Sequence, residues 1–307
     1  MLRSARTVSV AEASSRPFVL IPVAVTPEGA TVPAGIPDAV NDVPLARTMD
    51  AQWCRRHGLT PTPGSHAVLV RVSGPSAVLV SVGASHADAE AYRRAGAVTA
   101  EVAPEDSVGV LLSDAVLGDG RPQAQAFVEG AILASFHPKA ALRNLMVDVA
   151  LCGDPLPKVR SHDQIAAGVR DGALVADAVN WAKQMINTPA GDLPPKEFAK
   201  QIDQFLEHDR TVKVDIWNES KIAHERLGGL LGVGAGSDEP VRLVQASYVP
   251  KGRGDVQHVV LVGKGVCFDS GGLSIKPADA MMNMKTDMSG AAIVMATIAI
   301  ASRLQLN

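Results

Sequence analysis

Short apolar runs and helix-period stretches take turns along most of this chain. Phe18–Val25, His66–Val72 and Ala77–Val82 read as strands, the last two separated by the turn-forming Ser73-Gly74-Pro75-Ser76. A helix over His86–Val98, a strand at Val108–Leu112, a helix at Gln123–Phe136 and a strand at Leu145–Leu151 come next. That alternation predicts an α/β sheet domain. The turn-rich stretch Cys152-Gly153-Asp154-Pro155-Leu156-Pro157 marks its end, and a long helix follows from about Asp163 to Ile186. Val169, Ala173, Ala176, Val179 and Ile186 keep roughly to one face of it. Asn187-Thr188-Pro189 ends this helix, because the residue before a proline is pushed out of the α region.

The α/β alternation then resumes. Pro194 and Pro195 open a helix that runs to about His208, with proline tolerated in the first turn. Val212–Trp217 reads as a strand, Ser220–Leu227 as a short helix and Val241–Val249 as a further strand. Val259–Val262 contains no polar position, the pattern of a parallel strand buried on both faces. Gly290–Ile300 is apolar on nearly every side and predicts a helix packed inside a domain rather than on its surface. Leu304–Asn307 has the pattern of an opening strand.

Composition narrows the function classes. Hydrophobic residues make up 47% and charged residues 20% of 307, which describes a globular chain long enough for two domains. Aromatics are only 4%, so the core rests on Val, Ala, Leu and Ile. A net charge of -3 with no Lys/Arg run offers no pull toward nucleic acid or anionic lipid. No stretch approaches the ~18 consecutive apolar residues of a membrane span. Neither nucleic acid nor membrane is therefore expected as a partner. Cys54, Cys152 and Cys267 are widely spaced and odd in number, and no signal-peptide pattern opens the chain, so a reducing, cytoplasmic setting is expected. There is no P-loop, and Gly232, Gly234 and Gly236 miss the dinucleotide fingerprint because Ser237 stands at its last glycine. No histidine forms H-E-x-x-H, so none is assigned as a ligand.

The densest chemistry lies between Lys264 and Asp287. Three lysines and three aspartates are separated there by glycines and short side chains, directly after an apolar run. Asp269 and Asp287 are oxygen donors suited to Mn²⁺, Mg²⁺ or Zn²⁺, but each also has an ordinary reading, Asp269 as a turn former and Asp287 as a helix cap. Lys264 could pair with Asp269 or, stripped of its proton, donate a lone pair to a metal. Lys276 could offer charge to a developing oxyanion or be a solvated loop lysine. Asp279 and Lys285 read as loop residues. Cys267 reads as a small buried filler, and Asp238 and Glu239 as turn residues before Pro240.

Val262-Gly263-Lys264-Gly265, Phe268-Asp269-Ser270-Gly271-Gly272, Lys276-Pro277 and Met284 to Ala292 resemble the active-site segment of the leucyl (cytosol) aminopeptidases. Asn187-Thr188-Pro189-Ala190 and the glycine-rich Gly228–Pro240 are similar to two further elements of that family. The resemblance is specific from about Ala182 onward and only architectural before it. It implies an N-terminal α/β sheet domain over residues 1–155, a connecting helix in 156–190, and the first part of an α/β catalytic domain over 191–307. It also implies two divalent metal ions, Mn²⁺ or Zn²⁺, bridged by a water or hydroxide that attacks the N-terminal peptide bond. Lys264 would be an amine ligand, Asp269 a bridging carboxylate and Asp287 a ligand of the same metal as Lys264. Lys276 would polarise the scissile carbonyl. Met284 would line an apolar side-chain pocket, a packing role being the other reading. Peptides with a free N-terminus are the implied substrates and a homohexamer the implied assembly.

The family also carries an Asn-Thr-Asp-Ala-Glu-Gly-Arg motif well beyond this segment, and it is not found in these 307 residues. The resemblance therefore implies a C-terminally truncated aminopeptidase whose metals lack ligands, inactive or incomplete as it stands. The alternative is a non-catalytic binding or assembly protein that keeps the N-terminal domain and half a metal site.

Overall fold

The computed structural model describes residues 5–40, 43–69, 76–103, 107–113, 120–138, 145–152, 159–250 and 258–307. The turn expected at Ser73–Ser76 and the boundary stretch Cys152–Pro157 lie largely outside them. Two compact units emerge, Met1–Asp177 and Ala178–Asn307, the division falling inside a helix that runs over Val159–Asn187.

Among the described residues the first unit has ten strands: β1 (Ala5–Thr7), β2 (Phe18–Thr26), β3 (Gly29–Thr31), β4 (Ala39–Val40), β5 (Val43–Pro44), β6 (Thr48–Asp50), β7 (His66–Leu69), β8 (Ser76–Ser81), β9 (Ser107–Ser113) and β10 (Met146–Cys152). Parallel pairing places β1, β10, β9, β2 and β8 side by side, and β7 joins β8 antiparallel. The far end of β2 carries β3, then β6, both antiparallel. The result is a mixed α/β fold dominated by a parallel sheet.

The central strands are apolar at consecutive positions because both faces of the sheet are covered. Leu20, Val78, Val80, Val108, Val110, Val147 and Val149 enter one buried cluster with Tyr92 and Phe127. Their neighbours Val19, Ile21, Ala77, Leu79, Leu111 and Ala150 enter another on the opposite face. Two helices on the first face, Ala89–Ala97 and Arg121–Ala134, cross at glycines. A Cβ on Gly96 would fall 2.0 Å from the Phe127 carbonyl oxygen, and one on Gly130 would fall 1.9 Å from that of Arg93.

The second unit holds the end of the long helix, a helix at Pro195–Leu206, β11 (Val212–Trp217), helices at Glu219–His224 and Gly228–Gly234, β12 (Leu243–Tyr248), a turn of helix at Ala278–Met281, a 3-10 helix at Met284–Met288 and a terminal helix at Ser289–Arg303. Ala182 and Met185 of the long helix, Phe198, Ile202 and Leu206, and Met288, Ala292, Met295 and Ala299 share one core. Trp181 stacks on Phe205 at 4.1 Å. Arg303 covers the same Phe205 ring at 4.4 Å and pairs with Asp209 at 3.0 Å, both side chains largely buried.

β11 and β12 pair antiparallel. Three expectations for this unit are corrected. Val259–Val262 is not a buried strand: Val259, Val260 and Val262 are 78%, 80% and 89% exposed, and the run pairs with no strand among the described residues. Apolarity is satisfied only where a sheet exists to receive it, and the β11–β12 pair does not extend to this run. Leu304–Asn307 does not open a strand either; Leu304 and Gln305 turn, Gln305 adopting φ 53°, and the Leu306 carbonyl accepts from Tyr248 Oη at 2.8 Å. The terminal helix is buried on one face only, with Ile293 55% exposed. By length and composition alone, Met284–Arg303 is the one helical stretch among the described residues that could cross a membrane.

Gly130→Ala should destabilise the first unit by about 1–3 kcal/mol or more, since backbone cannot yield as a side chain would; a denaturant midpoint equal to wild type would contradict the close crossing. His86 and Tyr92 are hydrogen-bonded at 2.6 Å, and burial lowers the imidazole below its ordinary value. The unfolded chain then binds more protons just below about pH 6.5. Stability is full above that pH and is lost as pH falls from it toward the lowered folded-state value. Thermal unfolding followed at about pH 7.5 and about pH 5.5 should show the loss, and His86→Gln should shrink it.

Candidate functional site

The extended run ends at Gly263, whose backbone lies against the start of the terminal helix. A Cβ there would fall 2.5 Å from the Gly290 carbonyl oxygen and 2.6 Å from Ala291 Cα. Only glycine permits that approach. The Ala291 amide donates to the Lys264 carbonyl oxygen at 2.9 Å, fixing the register of the two segments. Lys264 is thereby set beside Asp287 in the 3-10 helix that precedes Ser289.

Lys264 Nζ donates to Asp287 Oδ1 at 2.8 Å and lies 2.6 Å from Oδ2. The Oδ2 contact is an ion-pair approach off the hydrogen-bonding direction, so this buried oxygen receives no hydrogen bond. The Lys264 ammonium is more than half exposed, not buried, and its partner is Asp287 rather than Asp269. Its hydrogen bond with Asp287 raises the lysine above its ordinary value, and the charges of Asp287 and Asp269 add to this. Asp287 does not cap the terminal helix, which has no side-chain cap.

Asp269 opens a tight loop. Its Oδ1 accepts from the Gly271 amide at 2.9 Å, the turn-forming role, while Oδ2 lies 3.3 Å from Lys276 Nζ. Gly271 and Gly272 take φ 93° and 67°, conformations that side chains rarely adopt. A Cβ on Gly271 would also strike the Ser274 carbonyl oxygen at 2.4 Å and the Lys276 amide nitrogen at 2.9 Å. The amide of Gly271, then the Lys276 ammonium, hold the Asp269 carboxyl below its ordinary value, with Lys264 contributing at longer range.

The four residues thus form two ion pairs, Lys276–Asp269 and Lys264–Asp287, formally neutral in sum, with Lys264 and Asp269 interacting through their charges. Two carboxylates and one amine are the metal donors it offers. Among the described residues, no three His, Cys, Asp or Glu side chains gather to hold a metal. Met284 is half-buried at the start of the 3-10 helix. Cys267 is half-buried, and burial pushes its thiol up to about 11, as suits a filler. Asp238 and Glu239 are exposed in a bend. Lys285 is not a free loop residue: its Nζ donates to the Asn187 carbonyl oxygen at 2.8 Å. The clue in the sequence was the proline-stopped helix end at Asn187, which leaves carbonyls in want of a donor.

Residues 180–307 match the cytosol aminopeptidase family, catalytic domain. A probable cytosol aminopeptidase from Leifsonia xyli subsp. xyli is 36% identical over 244 residues, which are 76% of this chain and 46% of that protein. BotP, a bottromycin maturation enzyme solved in complex with Mn, aligns with a TM-score of 0.68 at 29% identity, covering 94% of this chain and 57% of its own. The cytosol aminopeptidase of Coxiella burnetii aligns with a TM-score of 0.65 at 25% identity, covering 99% and 58%. This chain belongs to the cytosol aminopeptidase family. It spans about half the length of the curated relatives it matches.

Gly271→Ala should disorder the Asp269–Lys276 loop. The Lys276 amide donates to the Ser270 carbonyl oxygen at 2.9 Å, so its hydrogen exchange reads the loop directly. Roughly tenfold faster exchange is expected, equal to about 1.4 kcal/mol at most of local strain; unchanged protection would show that the loop tolerates a side chain.

Proposed function

We propose that this chain contributes to a dinuclear-metal aminopeptidase acting on peptides with a free N-terminus, and that these 307 residues alone are catalytically incomplete. The observation that carries the reading is the pair of ion pairs, Lys264–Asp287 and Lys276–Asp269, whose Lys264 and Asp269 also feel each other's charge. Family membership supports it, as does the Mn in the BotP complex.

Asp269, Asp287 and the Lys264 amine would hold the metal, Mn²⁺ or Zn²⁺. When bound, a pair of such ions acidifies water and stabilises charge on attacking and receiving oxygens. Asp269 and Asp287 supply anionic oxygen, and Lys264 serves only after losing its proton, which its pairing with Asp287 opposes. Lys276 keeps an ammonium directed at the same loop, where it would hold negative charge developing on a substrate oxygen. Met284 would contact an apolar substrate side chain.

Charge supports incompleteness. The four groups sum to zero, so two dications would leave the cluster strongly positive, and further anionic ligands are required to offset them. The motif carrying those carboxylates in the family is missing from this sequence. A cytoplasmic location and a homohexamer complete the proposal on family grounds.

The purified chain is expected not to hydrolyse Leu-p-nitroanilide, and to do so in Mn²⁺ once supplied with the segment that follows the matched region in the Leifsonia xyli relative. Asp269→Ala with Asp287→Ala should abolish both Mn²⁺ binding and the restored activity. Robust metal-dependent hydrolysis by the chain alone would refute incompleteness. Failure to bind Mn²⁺ under any condition would instead favour a non-catalytic assembly role.

A further inference from the structure

We propose that Lys285 is a positioning residue that clamps the Asp287-bearing 3-10 helix to the end of the long helix, and so sets where the Asp287 carboxylate stands. Its significance for metal binding rests on the metal reading given above; the clamp itself rests on geometry.

The end of the long helix explains why a cation belongs there. Four terminal carbonyls of any α-helix lack intrahelical partners. Here the Thr188 amide and hydroxyl both donate to the Gln184 carbonyl oxygen, at 3.0 and 2.8 Å, and the amide is shared with that of Met185. Pro189 has no amide with which to continue. The Asn187 carbonyl is taken by Lys285 Nζ at 2.8 Å, across 98 residues of sequence. A lysine at a helix C-terminus also meets the negative end of the helix dipole.

The geometry of Met284–Met288 converts that contact into a constraint on Asp287. A 3-10 helix has three residues per turn, so Lys285 and Met288 lie on one side and Asp287 lies off it. Met288 is 1% exposed in the core that also contains Met185 of the long helix. Lys285 and Met288 therefore anchor one face, one polar and one apolar. Asp287 is left facing Lys264, which it meets at 2.6–2.8 Å. Releasing Lys285 frees the helix to roll about Met288, and the carboxylate moves with it. Among the described residues Lys285 makes no ion pair or hydrogen bond with Asp269 or Asp287, so its part is played through the helix.

The test uses the full chain with Lys285→Met, which keeps length and loses the ammonium, and Lys285→Arg, which keeps the cation. In metal-free protein, amide exchange at Met284–Met288 should rise about tenfold in Lys285→Met. Exchange at Met295–Ala299 should not change. Mn²⁺ binding, followed by loss of the free-ion paramagnetic resonance signal, should weaken about tenfold in Lys285→Met and recover to near wild type in Lys285→Arg. Exchange that stays at the wild-type rate, or rises equally throughout residues 178–307, overturns the clamp. Mn²⁺ binding equal in wild type and Lys285→Met overturns its bearing on the site. A wild-type chain that takes up no Mn²⁺ while the exchange arm behaves as expected sinks the metal reading and leaves the clamp standing.

Discussion

The site depends on two segments coming close enough for their backbones to touch. Gly263 lies against Gly290 and Ala291 with no room for a Cβ, and the Ala291 amide bonds to the Lys264 carbonyl. Any side chain at position 263 would push the loop away from the terminal helix, and the reach of a lysine does not compensate for a displaced backbone. From that contact follow the placement of Lys264 beside Asp287 and the electrostatic reach of Lys264 toward Asp269. The helix it leans on is in turn held by Met288, Ala292, Met295 and Ala299 in the core of the second unit. Small residues bring the segments together, and large apolar ones hold the helix they meet.

Alternating charge lets four ionised groups share this space. Each ammonium has a carboxylate, so none carries the desolvation cost of an unpaired ion. The same pairing sets a condition on metal entry. A cation entering at Asp287 competes with the Lys264 ammonium for the same oxygens, and the two cannot both be satisfied while the proton stays on nitrogen. On the proposed reading, the lysine that holds the aspartate in place would have to give up its proton before a metal could share it.

Much of the fold was legible because its periodicity is local. β11 lies over Val212–Trp217 as read, and the long helix ends at Asn187 where Pro189 follows. Four parallel strands of the first unit, β2, β8, β9 and β10, were read from their apolar runs, whereas β1, Ala5-Arg6-Thr7, has no such run and was not. The four candidate residues stood out by type and spacing, and the family resemblance implied their roles; their pairing was not legible, because which lysine meets which aspartate depends on how Gly263 crosses the helix. Lys285 was passed over since its partner is a main-chain carbonyl 98 residues away, and no side-chain pattern advertises that. Val259–Val262 misled for a related reason. Apolarity reports what a segment favours, and whether a neighbouring strand exists to accept it is a property of the surrounding structure.

That unpaired run has a consequence for the loop that follows it. Its valine side chains are open to water directly before Gly263, so a foreign strand that docks there would bear on the loop carrying Lys264.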